Sequence, residues 1–233
     1  MNKTIDLLSD VPNEVLMLTP KNFEGPSVYF HHKAIEYARN GKKFLKDRHL
    51  EYIYATLVSW GMHRMGPKGA TMPAFKDFKK SILAHKGDLK DLRDKTIETI
   101  SEAEFEKILD KLTAICFGHK HIQATTSDSR LVSSTKTLAH ILPDLVPPID
   151  RQYTLKFFYG TKNRQINNDS SGRKIFEEVM RSMYKVYSNN AEFKKLALGI
   201  KSPNKDFCGS LPKIFDNVVI NCATKGITLN NVI

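Results

Sequence analysis

The sequence lacks the motifs that mark the commonest enzyme classes. It has no P-loop, dinucleotide fingerprint, G-x-S-x-G elbow or H-E-x-x-H helix, which sets aside the nucleotide, hydride-transfer, serine-hydrolase and zincin chemistries those motifs carry. Cysteine is scarce. Cys116, Cys208 and Cys222 are an odd number with no C-x-x-C pair, so neither a disulfide framework nor a four-thiolate zinc or iron–sulfur site can be built. Reduced, mostly buried thiols in a cytoplasmic protein are expected. His119, His121 and His140 are too loosely arranged for zinc, and no metal or cofactor is expected. The first ten residues are interrupted by charge and carry no signal-peptide core. No apolar run approaches the ~20 residues needed to span a bilayer, so a membrane is not among the expected partners. Period-two alternation never persists long enough for a strand, and there is no internal repeat or low-complexity tract.

Acidic residues are in short supply too. Asp and Glu total 25 against 36 Lys and Arg, a formal net charge of +11. That excess suits a polyanion such as nucleic acid, although a lysine-rich surface also serves solubility alone. At 233 residues the chain is long enough for a substantial core.

Helical periodicity runs through most of the chain. Residues 1–27, with Pro12, Pro20, Gly25 and Pro26, read as an irregular arm, and Ser27 as the cap of a helix through about Leu45. Asp47 opens a stronger helix whose Leu50, Ile53, Tyr54, Leu57 and Val58 fall at i, i+3, i+4, i+7 and i+8. It ends near Gly61, where a basic segment with His63, Arg64 and Lys68 begins. Pro73 restarts a helix with Phe75, Phe78 and Ile82. A short charged helix over 88–94 follows, then a capping box at Ser101 and Glu104 that opens a helix ending at Gly118. Apolar faces at 131–142, 175–186 and 193–198, and a last helix from Pro212, complete the chain. About ten helices with short connections predict an all-α fold.

The stretch 131–158 organises the rest. A helix runs from Leu131 to Leu142 and is stopped by Pro143; Pro147 and Pro148 hold the connection extended, and Asp150 stands where the next helix should begin. Lys136 and Asp150 are the two ionisable residues that stand out.

Three pieces of this pattern resemble the helix-hairpin-helix DNA glycosylase superfamily. Y-I-Y-A-T-L-V-S-W-G-M is similar to the family's early helix and its turn. D-L-R-D-K-T-I-E-T-I-S-E-A-E-F-E-K-I is similar to its short helix and the acidic-capped helix after it. L-V-S-S-T-K-T-L-A followed by V-P-P-I-D-R-Q-Y resembles the hairpin G-x-G-x-K-x-A and the downstream V-P-V-D-T-H. The likeness covers roughly residues 47–158. It departs at Ser133 and Ser134, which stand where the family has hairpin glycines, and at Gly61, which stands where it has a glutamine. The resemblance implies a two-lobed helical bundle, with one lobe at 47–142 and the other built from 1–46 and 143–233. It implies DNA as partner, cleavage of the N-glycosidic bond of a damaged or mismatched base, Lys136 as catalytic lysine and Asp150 as catalytic aspartate.

Each site residue has a plainer reading. Lys136 is either an amine nucleophile, which must be neutral to attack a sugar carbon, or a solvated surface lysine. Asp150 either stabilises a developing oxocarbenium ion or caps a helix, and the two roles are compatible. Ser133, Ser134 and Thr135 either bind phosphate at a helix N-terminus or cap locally. Trp60, His63 and Arg64 form a stacking or wedging group for an extruded base, or Trp60 belongs to the core. Arg151 is expected on the basic face beside Lys136. A non-catalytic nucleic-acid-binding module and a protein-interaction scaffold remain the alternatives to an enzyme.

Overall fold

The computed structural model describes residues 25–63, 71–127, 129–163, 166, 169–201 and 208–229. Residues 1–24 of the arm expected over 1–27 lie outside them, as do Arg64, Lys68 and residues 202–207. The described residues form ten α-helices and no strand. They are α1 Pro26–Arg39, α2 Asp47–Ser59, α3 Phe75–Leu83, α4 Lys86–Leu92 and α5 Glu102–Phe117. After these come α6 Leu131–Ile141, α7 Thr154–Tyr159, α8 Asp169–Asn189, α9 Ala191–Ile200 and α10 Leu211–Thr224. The protein is all-α.

α6 is the hub, packed against α1, α2, α5 and α8. Its sequence explains the position. Ser133, Ser134, Thr135 and Thr137 are fully buried, and small side chains let neighbouring helices approach closely. The Thr135 and Thr137 hydroxyls donate to the carbonyls of Leu131 and Ser133, each at 2.8 Å, so most of the polar atoms brought inside are satisfied within the helix itself. Around this hub one contiguous apolar core runs from Ala34 to Leu229.

Several helix ends carry their own explanation. α1 was expected to reach Leu45 but stops at Arg39, because Asn40 turns the chain: its side chain accepts from the Lys42 N–H at 3.1 Å and its carbonyl accepts from Phe44 at 2.8 Å. α2 ends in a Schellman motif. The Met62 N–H reaches the Leu57 carbonyl (3.1 Å), the Gly61 N–H reaches Val58 (3.0 Å), and Gly61 takes φ 78°. Glycine is required at that step for its left-handed backbone. α5 begins as read, with the Ser101 hydroxyl accepting from the Glu104 N–H at 3.3 Å. Glu104 spends its carboxylate on Lys95 at 2.6 Å. At the other end, a side chain on Gly118 would stand 2.4 Å from the Ala114 carbonyl oxygen, so the close turn admits only glycine.

The connection after α6 folds back along the core. Pro143, Pro147 and Pro148 are buried. Arg39 grips the Asp144 carboxylate with two nitrogens, at 2.9 and 3.2 Å, and donates to the Gly209 carbonyl at 2.6 Å. That strut ties α1 to the connection and to the start of α10. α10 is unusual in being buried along its whole length from Leu211 to Ala223, charged residues included.

Candidate active site

The fold-back brings Asp150 to Lys136. Ile149 donates its backbone N–H to the Thr135 hydroxyl at 3.3 Å, across 14 positions of sequence. The bond holds the connection against α6, and Asp150 comes near enough to Lys136 for its carboxylate to raise the lysine pKa. Asp150 does not begin a helix, as the sequence reading expected. Its Oδ1 accepts from the N–H of Tyr153 at 2.7 Å and of Thr154 at 3.4 Å, while the Thr154 hydroxyl accepts from the Asp150 N–H at 3.1 Å. These reciprocal bonds close a turn over 150–153, and α7 starts only after it. One carboxylate oxygen is thus held by the backbone.

The Lys136 side chain keeps part of its surface, but its ammonium lies within the protein and forms no ion pair among the described residues. Its Nζ stands 5.3 Å from the centre of the Trp60 ring, in cation–π range. Trp60 is set there by the Schellman turn, since it is the residue immediately before Gly61. Burial lowers the Lys136 pKa below the ordinary lysine value. The Asp150 and Asp216 carboxylates pull it back up, and the Lys213 ammonium adds to the lowering.

Three histidines form the wall behind Trp60. His140 Nδ1 lies 2.6 Å from the Lys136 carbonyl oxygen, which can only accept, so Nδ1 carries the proton. His140 Nε2 is then an acceptor, and His31 Nδ1, at 2.9 Å, is its donor. His49 receives the Leu45 N–H on Nδ1 at 3.0 Å and faces the His140 carbonyl with Nε2 at 3.4 Å. Leu45 pays for that donation with a left-handed backbone, φ 55°. The proton positions follow from this network of carbonyls. All three histidines are neutral: burial drops His140 and His49 to about 4, and holds His31 well below its ordinary value with His140 as the next contributor. The Trp60 ring sits 5.0 Å from that of His140 and stacks on His31 at 6.0 Å. Its indole Nε1 is buried without a hydrogen-bond partner among the described residues.

α10 supplies the remaining charges. Lys213 Nζ donates to Asp216 at 2.5 Å, one helical turn along, and both residues are buried. Burial raises the Asp216 pKa above the usual carboxylate value; Lys213 opposes that rise, and Asp150 adds to it. Lys213 lines a narrow cleft together with His31, Trp60, His140, Pro148 and Ser210. The cleft encloses about 30 Å³, enough for about one water molecule. A second, shallower groove of about 540 Å³ lies between the start of α7 and the end of α10, lined by Gln152, Tyr153, Lys156 and Lys162 among others.

The other sequence-derived residues divide sharply. Ser133, Ser134 and Thr135 were read as phosphate-binding, but all three are fully buried. The Ser133 and Thr135 hydroxyls donate to α6 or chain carbonyls, and Ser134 has no partner among the described residues. As folded, none of the three hydroxyls can meet a phosphate outside. His63 is exposed, with Nδ1 folded back onto the Val58 carbonyl at 2.9 Å. Arg151 is exposed next to Asp150. Arg64 lies outside the described residues. Sequence reasoning left His140 as a surface or polar-core residue and missed His31, Lys213 and Asp216. The last two had a legible signal: two opposite charges three apart inside the apolar run L-P-K-I-F-D-N-V-V-I.

Among the described residues no group of three or more His, Cys, Asp or Glu side chains could hold a metal ion, and no helix is long and apolar enough to cross a membrane. Compared with known proteins, the chain matches no family model, no curated protein and no solved structure.

Proposed function

We propose that this protein is a divergent helix-hairpin-helix DNA glycosylase, which binds DNA and cleaves the N-glycosidic bond of a damaged or mismatched base. The observation that carries the reading is the state of Lys136: an amine with a lowered pKa, without an ion-pair partner among the described residues, beside an aromatic ring and an aspartate whose carboxylate is fixed by backbone. A neutral lysine is a competent nucleophile. In the proposed step its lone pair forms a bond to the sugar C1′ while the N-glycosidic bond breaks. The departing base takes the bonding pair and the proton that the attacking amine loses. The nitrogen lone pair then opens the C1′–O4′ bond, O4′ takes a proton from solvent, and an iminium is left. Asp150, charged beside the sugar, stabilises the oxocarbenium character of the transition state. Trp60 offers a face for the extruded base.

A second reading, a non-catalytic nucleic-acid-binding module on the same fold, is favoured by one observation. The cleft beside Trp60 encloses too little space for a base, so the enzymatic reading requires the Trp60 side chain to swing out. Borohydride reduction in the presence of a panel of lesion-containing duplexes separates the two. An enzyme of this kind gives a covalent protein–DNA adduct that Lys136→Gln abolishes while leaving binding largely intact. Base release that survives Lys136→Gln makes Asp150 the activator of a water nucleophile. No adduct and no release on any lesion, with binding intact, leaves the module.

A further inference from the structure

The groove of about 540 Å³ between α7 and α10 has no place in the step just described, yet it adjoins the site. The turn over 150–153 belongs to both. The Tyr153 N–H donates to Asp150 Oδ1 at 2.7 Å, so the backbone of Tyr153 fixes the carboxylate while Tyr153 itself lines the groove. α7 follows the turn and packs on α10. Lys156 ties these two walls together by donating to the Ala223 carbonyl at 2.8 Å. Gly160 then ends α7 with φ 71°, a left-handed step that suits glycine. Beyond it Thr161, Lys162 and Asn163, all exposed, complete the lining.

The chemistry of that lining is one-sided. It holds no Asp or Glu side chain but two lysines. Lys156 spends one of its three donors on Ala223, and Lys162 forms no ion pair among the described residues. Gln152, Thr161 and Asn163 add amide and hydroxyl groups, which suit the edges of an unpaired base. Tyr153 is the one aromatic residue of the lining, and it is packed against the core. Gln152 Nε2 also donates to its hydroxyl at 3.2 Å. Stacking a base on this ring therefore orders no loose side chain. The volume falls within the range of about 300–1,000 Å³ typical of small-ligand pockets, which admits a nucleotide and not a duplex. We propose that the groove holds an unpaired nucleotide of the DNA strand, next to the one at Lys136 and Asp150, with its base on Tyr153 and its phosphate at Lys162. The inference rests on the reading of the site given above. A strand that presents a sugar to Asp150 must continue across the protein surface, and this recess begins at the very turn that holds Asp150. A lining with lysines and no carboxylate favours a phosphodiester over a basic peptide.

The test is binding of an undamaged, fluorescein-labelled oligothymidylate single strand, followed by anisotropy across a salt series. Tyr153→Leu removes the stacking face and should weaken binding roughly fivefold or more. Lys162→Gln changes an exposed side chain. It should weaken binding severalfold and lower the salt slope by about 0.7, the share of one phosphate on a single strand. Lys90→Gln on α4 is the control for net charge, since Lys90 is exposed and lines neither the groove nor the cleft. An equal loss in Lys90→Gln, no loss in Lys162→Gln, or no binding of the single strand overturns the proposal. The wild-type protein supplies a second measurement should Tyr153→Leu fold poorly. Irradiation with a strand carrying iodinated deoxyuridine should crosslink Tyr153, and crosslinks confined to other segments overturn the proposal. None of these measurements requires base release, so the two readings fail separately. Groove losses with no lesion trapped would leave the groove standing on a non-catalytic module. Trapping on a lesion duplex, with both groove variants binding like the wild type, would remove the groove and leave the glycosylase.

Discussion

His31, His49 and His140 show how burial, as the largest cause, settles a protonation state. Each has a folded pKa below the ordinary value near 6.5, with His49 and His140 at about 4. Between the two values the unfolded chain binds more protons than the folded one. Their contribution to stability is therefore complete above about pH 6.5 and is lost as pH falls towards 4, with a slope on the order of 1.4 kcal/mol per pH unit for each histidine. Asp216 acts in the opposite sense, since its raised pKa makes folding more favourable as its carboxyl protonates. The paired carboxylates Glu36 and Glu106, whose pKa values are lowered, lose their contribution only below the ordinary Glu value. Urea unfolding midpoints should thus fall steadily from neutrality towards pH 5, before carboxylate titration begins. A midpoint that stays level over that interval would mean the three rings are not buried and neutral together.

At the scale of elements, α6 is where sequence and structure agree on position and differ on orientation. Periodicity located the helix and Pro143 its end. What periodicity could not reveal is that Ser133, Ser134 and Thr135 face inward, because hydroxyl residues are compatible with either side of a helix. Their burial leads to two opposed expectations. Thr135 receives the Ile149 N–H, the bond that holds the connection before Asp150 against α6. Thr135→Val keeps the shape and leaves that donor buried and unpaired, so it should cost about 1–3 kcal/mol and also depress any activity that needs both site residues. Ser134 carries a buried hydroxyl with no partner among the described residues. Ser134→Ala should be neutral or stabilising by up to about 1 kcal/mol. Equal losses in the two variants, measured by denaturant unfolding, would contradict the hydrogen-bond assignment. The helix pair α1 and α2 adds a related lesson. Gly61 reads in the sequence as a departure from a family turn, and the structure gives it a mechanical reason: it ends α2 and presents Trp60.

For the whole molecule the relevant quantity is the charge of +11. If the partner is DNA, the logarithm of the binding constant should fall linearly with the logarithm of salt concentration, by about 0.9 for each phosphate neutralised. Arg151 is exposed beside Asp150 and fits a phosphate contact. Arg151→Gln should then lower the slope by about 1 and weaken binding to all sequences alike. Weak binding indifferent to salt would favour a protein-interaction scaffold, since charge would then be serving solubility. The Arg39 strut belongs to the same scale: it joins segments far apart in the chain, and no local sequence motif announces it.

Sequence by itself determined the all-α class, the helix order, the stop at Pro143, the cap at Ser101 and the prominence of Lys136 and Asp150. All of these follow from backbone preferences and apolar spacing, which act over a few residues. Tertiary structure alone decided that Lys136 loses its solvent to Trp60, that three histidines form one neutral cluster, and that Lys213 and Asp216 lie within electrostatic reach of the site. Those outcomes depend on which helices meet at α6. A charge's reactivity is set by the neighbours and water around it, and these are contributed by residues up to about a hundred positions away.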